Sequence, residues 1–356
     1  MDTQDRDQKL PSQSSGVSSR ALGGGTDDPQ GGPARSLEYI LLRWILDRPE
    51  VGLLIATVLL AGYLGLTSEY FLLQRNLINI TQAVAFVGIA APFATLILIG
   101  GGIDLTPITV FVIAGVVALK ALDAAIPVPV VFVLAVLAGG GVGLVNGLFI
   151  AFLRLNPFIV TLGTNFLFTG IAFVVTDGQA AAIINPTFTA MGTARVLGLP
   201  VVTIAMLASF AVAFGILRFT RFGTHVYAVG ADADSARLSG VDVTRVRIAM
   251  YVLGGLSAGV AGVLLTSTVG AVAAFTALSQ ADLLKILAAV IIGGTALTGG
   301  RGSVIGTLIG ILLLGIIQNG LVLRNISSFY QPVVIGTVLL LAIVLDELRR
   351  RLADRV

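Results

Sequence analysis

No cysteine occurs anywhere in the 356 residues. Its absence excludes a disulfide framework, a thiolate metal site and a cysteine nucleophile. Histidine occurs once, at His225, so the histidine clusters of zinc hydrolases and proton relays are missing as well. On its own, His225 reads as a solvated loop residue. Charge is equally scarce: Asp, Glu, Lys and Arg make up 12% of the chain, about half the share found in soluble domains. A water-soluble globular fold is excluded. With one Trp and six Tyr, the sequence also lacks the aromatic girdles of a membrane β-barrel.

What the chain does contain is apolar side chains and glycine. Hydrophobic residues reach 56%, the mean hydropathy is +0.98, and there are 43 glycines. The fold class expected is all-α and polytopic, with closely packed helices that each satisfy their own backbone hydrogen bonds in lipid. A net charge of +3 and a pI near 9.4 do not point to nucleic acid, because the basic residues sit between apolar runs.

Residues 1–36 are rich in Ser, Gly, Gln, Asp and Pro and are expected to form a disordered cytoplasmic tail. No apolar h-region follows the early charges, which argues against a secretory signal. Residues 37–50 place Leu37, Ile40, Leu41, Trp44 and Ile45 on one helical face, the pattern of an interfacial helix. Residues 51–346 form the membrane domain, and 347–356 a cytoplasmic C-terminal tail. Ten apolar runs divide the membrane domain: Val51–Leu66, Leu77–Ile99, Leu105–Leu119, Pro127–Leu153, Phe158–Val175, Leu199–Phe219, Ile248–Thr268, Leu283–Leu297, Val304–Leu323 and Val333–Leu345. Several fall short of the roughly 20 residues that cross a bilayer unaided, and among these the third and eighth stand out. Each adjoins a glycine cluster, Gly100–Gly102 or Gly293–Gly294, where a broken or re-entrant helix is expected.

Basic residues orient the spans. With ten spans and the N-terminus inside, only Arg75, Lys120, Arg195 and Arg324 lie outside and Lys285 lies within a span. The other 17 of the 22 basic residues lie inside, which places both termini in the cytoplasm. Asn146-Gly147-Leu148 and Pro157–Thr164 are echoed by Asn319-Gly320-Leu321 and Pro332–Thr337, five spans later. An odd offset of this kind makes an inverted five-helix repeat. Glycines recur four apart at Gly139, Gly143 and Gly147, at Gly302, Gly306 and Gly310, and at Gly255 and Gly259. Such stripes let helix backbones approach closely.

The longest inside connection, Thr220–Arg247, contains an acidic start at Asp232, helix-forming alanines and Gly240 two residues past Leu238. A short helix with a glycine stop is expected over Asp232–Leu238, and a helix presented there suits docking to a soluble partner. The segment GTHVYAVGADADSARLSGVDVTRVRI closely resembles the coupling loop of the ribose/xylose/arabinose class of ABC importer permeases. Gly100–Thr106 (GGGIDLT), Asn156–Thr164 (NPFIVTLGT) and Leu283–Ser303 (LLKILAAVIIGGTALTGGRGS) resemble the same family, and the likeness runs in order from Val51 to Leu345. Pro107 departs from it, standing where the family usually continues through a Ser.

The resemblance implies a permease subunit of an ATP-driven monosaccharide importer in the bacterial plasma (inner) membrane. Its implied partners are a second copy of the permease, an ATP-binding subunit that is often a fused tandem and carries the ATP and Mg, and an extracytoplasmic sugar-binding protein. It also carries a coupling role over to Ala231, Asp232, Ser235, Arg237, Leu238, Ser239 and Gly240. The chain is not expected to be an enzyme or to hold a cofactor or metal. Lys9, Lys120 and Lys285 all lack the preceding Gly that a phosphate loop requires.

Polar side chains within spans are costly against lipid and are therefore the natural candidates for a translocation path. They are Asn79, Thr81, Gln82, Asp104, Asn146, Asn156, Thr161, Thr164, Asn165, Thr169, Gln318 and Asn319, with Phe158, Phe166 and Phe168 offering ring surface to a sugar. Asp104 has a second reading, as a cap for the third span. Asp282 and Lys285 are spaced to pair with each other. An ion-coupled secondary carrier using Asp104 also fits a polytopic chain; within the resemblance the related alternative is a branched-chain amino-acid ABC permease, although GGGIDLT and GADADSARLSG look more like the sugar group. An intramembrane glycosyltransferase is disfavoured, because Asp104 has no clustered acidic companion.

Overall fold

A computed structural model describes residues 49–272 and 280–338, together with 340, 341 and 344. The N-terminal tail, nearly all of the 37–50 segment and the C-terminal tail lie outside the described residues. The described residues are mainly helical: α1 (Pro49–Thr67), α2 (Gln74–Ile99), α3 (Pro107–Asp123), α4 (Val128–Phe152), α5 (Pro157–Thr176), α6 (Pro186–Thr193), α7 (Val201–Phe219), α8 (Arg221–Ala231), α9 (Ala233–Leu238), α10 (Val243–Val269), α11 (Gln280–Ile292) and α12 (Val304–Leu323). Residues 331–338 are helical as well.

Among the described residues, seven helices are long and apolar enough to cross a membrane: α1, α2, α4, α5, α7, α10 and α12. The ten expected spans differ from these seven at the third, eighth and tenth. In place of the third, α3 begins at Pro107 and has 17 residues. Proline is welcome at this first helical position, because its missing N–H would have no intrahelical partner there. Pro107 therefore starts the helix instead of disturbing it. In place of the eighth, α11 stops at Ile292 and the chain turns through Gly293 and Gly294 (φ +87), so the stretch to Leu297 is loop. The tenth falls only partly within the described residues.

The long helix α10 lies at the centre, packed against α4, α3, α2 and α6. Glycine makes this possible. The Gly139 and Gly255 backbones touch, Gly143 lies against the Tyr251 carbonyl, and a Cβ on Gly147 would stand 2.9 Å from Ile248 Cα. The second stripe works in the same way at Gly306, against Gly293, and at Gly310, against Ala289. Gly302 is not part of it, because it precedes α12 and lies beside Thr295. Two small strand pairs close one end. Ala181–Ala182 pairs antiparallel with Ala271–Val272. Arg195–Val196 and Leu199–Pro200 form a hairpin turning on Leu197 and Gly198, both at positive φ, the conformation that two-residue hairpins prefer.

Polar residues join helices where lipid would leave them unpaired. Asn76 of α2 and Asn319 of α12 exchange two amide hydrogen bonds, at 3.0 and 2.8 Å. Thr95 and Thr307 share one at 2.7 Å. Interhelical bonds of this type contribute about 0.6 kcal/mol each on average. Asp282 and Lys285 pair at 2.8 Å, as their spacing implies.

Candidate functional site

Two regions carry the residues singled out by sequence. The first is the connector between α7 and α10, which is far more helical than its composition suggests. Thr220 caps α8, its hydroxyl accepting from the Gly223 amide at 3.1 Å. Gly223, Val226 and Val229 form the buried face of this helix. His225 therefore sits on a helix, half-buried, and is not a solvated loop residue. Tyr227 donates to the Gly302 carbonyl at 2.9 Å. Burial, with Glu50 nearby, pushes its phenol pKa up, so it stays a donor.

Helix α9 follows directly. Asp232 accepts from the Ser235 amide at 2.7 Å, satisfying one of the free amides at the start of the helix. The hydrogen bonds from Ser235 hold this carboxyl below its ordinary value. A depressed carboxylate keeps its cap at neutral pH and loses it only as pH falls through that lowered value. The expected stop is present: Gly240 has φ +86, and the Val241 amide returns to the Ala236 carbonyl at 3.0 Å. Within α9 only Ala236 is buried. Ala231, Asp232, Ser235, Arg237, Ser239 and Gly240 are exposed, and Leu238 is 90% exposed.

The second region is a buried polar chain around the glycine turn that ends α2. Asp104 Oδ1 accepts from the Thr106 amide at 2.8 Å and from its hydroxyl at 2.6 Å. Asn146 Nδ2 donates to Thr106 Oγ1 at 3.2 Å, and Thr164 donates to Asn146 Oδ1 at 2.6 Å. The Tyr251 hydroxyl donates to the Ile103 carbonyl at 3.0 Å. Asp104 thus braces the turn before α3 instead of capping the helix, whose first residues receive no side-chain cap. Beside this chain, Thr109 donates to Asn165 and lies 3.1 Å from the Thr169 hydroxyl.

With Thr161, whose hydroxyl lies 3.5 Å from the Ile103 carbonyl oxygen, Asp104, Asn146, Thr164, Asn165 and Thr169 are brought together between α3, α4 and α5. Asn156 caps α5 and is exposed, as are Phe158 and Phe166. Asn319 belongs to a separate group with Asn76, and Gln318 lines a small cavity with Lys285. Asn79 is exposed and Gln82 half-buried on α2. Sequence reasoning missed Asn76, Thr106, Thr109 and Tyr251. For Asn76 and Thr109 the cue was available, since each is a polar residue at a helical position within or beside an apolar run.

Removing the acceptor at Asp104 tests the polar chain. Asp104→Asn retains an oxygen for Thr106, whereas Asp104→Leu leaves two donors unsatisfied at about 1–3 kcal/mol each. Thermal unfolding in mild detergent is expected to rank wild type above Asp104→Asn and both well above Asp104→Leu. Equal stability of the Leu and Asn variants would show that the chain carries no such weight.

A family model described as "Branched-chain amino acid transport system / permease component" matches residues 76–343. Among curated proteins, the chain is 36% identical over 300 residues to the ribose import permease protein of Bacillus subtilis (strain 168), covering 84% of this chain and 91% of that one. It is 36% identical over 299 residues to the L-arabinose ABC transporter permease protein of Azospirillum brasilense, covering 84% and 88%. To the D-allose transport system permease protein of Escherichia coli (strain K12) it is 33% identical over 298 residues, covering 83% and 90%. No solved structure matches.

Proposed function

We propose, from the premise that this chain belongs to the transport-system permease family and within it to the ribose/arabinose type of ABC sugar permease, that it forms the translocation path of an ATP-driven monosaccharide importer. The observation that carries this reading is the match along nine-tenths of a ribose import permease. The family description names branched-chain amino acids, but three relatives matched nearly end to end are named for ribose, L-arabinose and D-allose. A sugar is therefore favoured over an amino acid as cargo.

The chain works as a multi-pass subunit of the inner membrane with both termini in the cytoplasm, the orientation that the distribution of Lys and Arg supports. Its full complement is ten helices in an inverted repeat, with α3 and α11 as the short members beside their glycine turns. Energy comes from a separate ATP-binding subunit, which holds the ATP and Mg and docks on α9. Leu238 is the apolar anchor, and Arg237 and Ser235 lie beside it at a polar rim. A second copy of the chain completes the path. A sugar-binding protein delivers cargo from the far side. Asn156, Phe158 and Phe166 offer it hydrogen bonds and ring surface, and the Asp104 chain shapes the turn behind them.

The test is a mild-detergent pull-down of the tagged chain from its native membrane, with mass spectrometry and an ATPase assay of what co-purifies. An ATP-hydrolysing subunit is the expected result. A chain that emerges alone, under conditions that hold a control ABC complex together, would overturn the reading in favour of an ion-coupled carrier.

A further inference from the structure

We propose that Gly230 is a positioning residue for transport: it joins the docking helix α9, backbone to backbone, to the turn that ends α2 and to the loop between α11 and α12. This rests on the reading that α9 docks the ATP-hydrolysing subunit. Gly230 lies two residues before the α9 cap, Asp232. A Cβ at Gly230 would press into the Ile99 carbonyl oxygen and stand 2.7 Å from the Gly300 amide nitrogen. A Cβ at Gly299 would stand 2.8 Å from the Gly230 carbonyl oxygen and 2.9 Å from Gly101 Cα, and one at Gly300 would stand 2.9 Å from Ala231 Cα.

Three separate segments therefore meet with no side chain between them. Gly101, Gly299 and Gly300 all hold positive φ (+76, +84 and +74), a backbone that other residues enter only with strain. The Gly300 amide donates to the Ile99 carbonyl at 2.8 Å, and Tyr227, one turn before Gly230, pins the Gly302 carbonyl. A contact between side chains absorbs small displacements by changing rotamer. Contacts between backbones cannot, so movement of α9 is passed on undiminished.

It is passed in two directions. Gly101 stands three residues before Asp104, the start of the buried polar chain, so one direction leads to α3, α4 and α5. The other runs through residues 299–302 into α12. In that loop the Thr295 hydroxyl is buried without a hydrogen-bond partner among the described residues. An unmet donor of this kind calls for an explanation, and a second arrangement of the loop that pairs it supplies one.

The experiment is performed on the full chain in complex with its co-purifying ATP-hydrolysing subunit and sugar-binding protein, in proteoliposomes with radiolabelled ribose. ATP hydrolysed per sugar imported is the quantity read, because loss of folded protein lowers both rates and leaves their ratio alone. Gly230→Ala is expected to raise the ratio at least about fivefold, the low end of ordinary coupling between sites. Gly215→Ala, with nothing within 4 Å of its added methyl, should leave it unchanged. Tyr227→Phe removes only the hydroxyl that pins Gly302 and is expected to raise the ratio by a smaller factor. A wild-type ratio in an assembled Gly230→Ala complex overturns the proposal. If that variant does not assemble, a wild-type ratio in Tyr227→Phe overturns it. Failure of the wild-type chain to bring down any ATP-hydrolysing subunit is a different result: it removes the importer reading, and the joint with it.

Discussion

Replacing Gly143 with Val is expected to abolish accumulation of the folded chain in the membrane. A Cβ at this position would collide with the Tyr251 carbonyl oxygen while standing 2.8 Å from the Tyr251 carbonyl carbon and 3.1 Å from Val252 Cα. Every neighbour is backbone, so no rotamer change makes room, and α4 and α10 must separate along their length. Overpacking a core ordinarily costs about 1–3 kcal/mol. Here the cost exceeds that range, because parting these helices also loosens Gly139 from Gly255 and Gly147 from Ile248. Gly141 provides the comparison: it lies on the same helix with nothing within 4 Å, and Gly141→Val is expected to behave as wild type. Membrane levels and size-exclusion profiles of fluorescently tagged chains measure both. Equal accumulation of the two variants would mean that the α4–α10 contact is not what holds the fold together.

The second large effect falls on transport and not on folding. Leu238→Asp places a charge on the most exposed apolar side chain of α9 and is expected to cut recovery of the ATP-hydrolysing subunit by roughly 30-fold or more, the scale of an interface anchor worth about 2 kcal/mol. Arg237→Glu, which also breaks the 3.3 Å pair with Asp234, is expected to uncouple uptake from hydrolysis. In both variants the Asp232 cap and the buried Ala236 are untouched, so insertion and thermal stability should match wild type. Normal sugar uptake by either variant would remove that residue from the docking surface.

The spans legible in the sequence are those whose helices are apolar over their whole length, and for them the structure moves boundaries by only a few residues. The glycine stripes were legible too, because spacing by four places Gly139, Gly143 and Gly147 on one helix face without knowledge of the neighbour. Helix α8 was not legible. Its buried face consists of Gly223, Val226 and Val229, too small and too sparse to give an apolar run, and its stability comes from packing beneath α7 and beside α2. The end of α11 was legible in part: the Gly293–Gly294 pair marks the expected break, but the apolar run put the end of the span at Leu297, because hydropathy does not register the left-handed turn at Gly294. At the polar sites, composition selected Asn146, Thr164 and Asp104 but not what they bind. Thr106 binds Asp104 locally, two residues along the chain, whereas Asn146 and Tyr251 join that arrangement only through tertiary proximity. Asn79 drew attention by its place in an apolar run, whereas Asn76, one turn earlier, makes the bonds to Asn319.

The central position of α10 also bears on how the chain is made. Its partner α4 is complete at Phe152, and α10 begins at Val243, leaving 90 residues (153–242) to be synthesised between them. At ordinary ribosomal speeds that interval lasts on the order of 5–20 s. Throughout it the groove formed by Gly139, Gly143 and Gly147 has no helix of its own to receive, and it faces lipid or the insertion machinery. The earlier spans must therefore enter the bilayer as individually stable helices and wait. Assembly of the bundle is a late event, set by the arrival of one helix well past the middle of the chain.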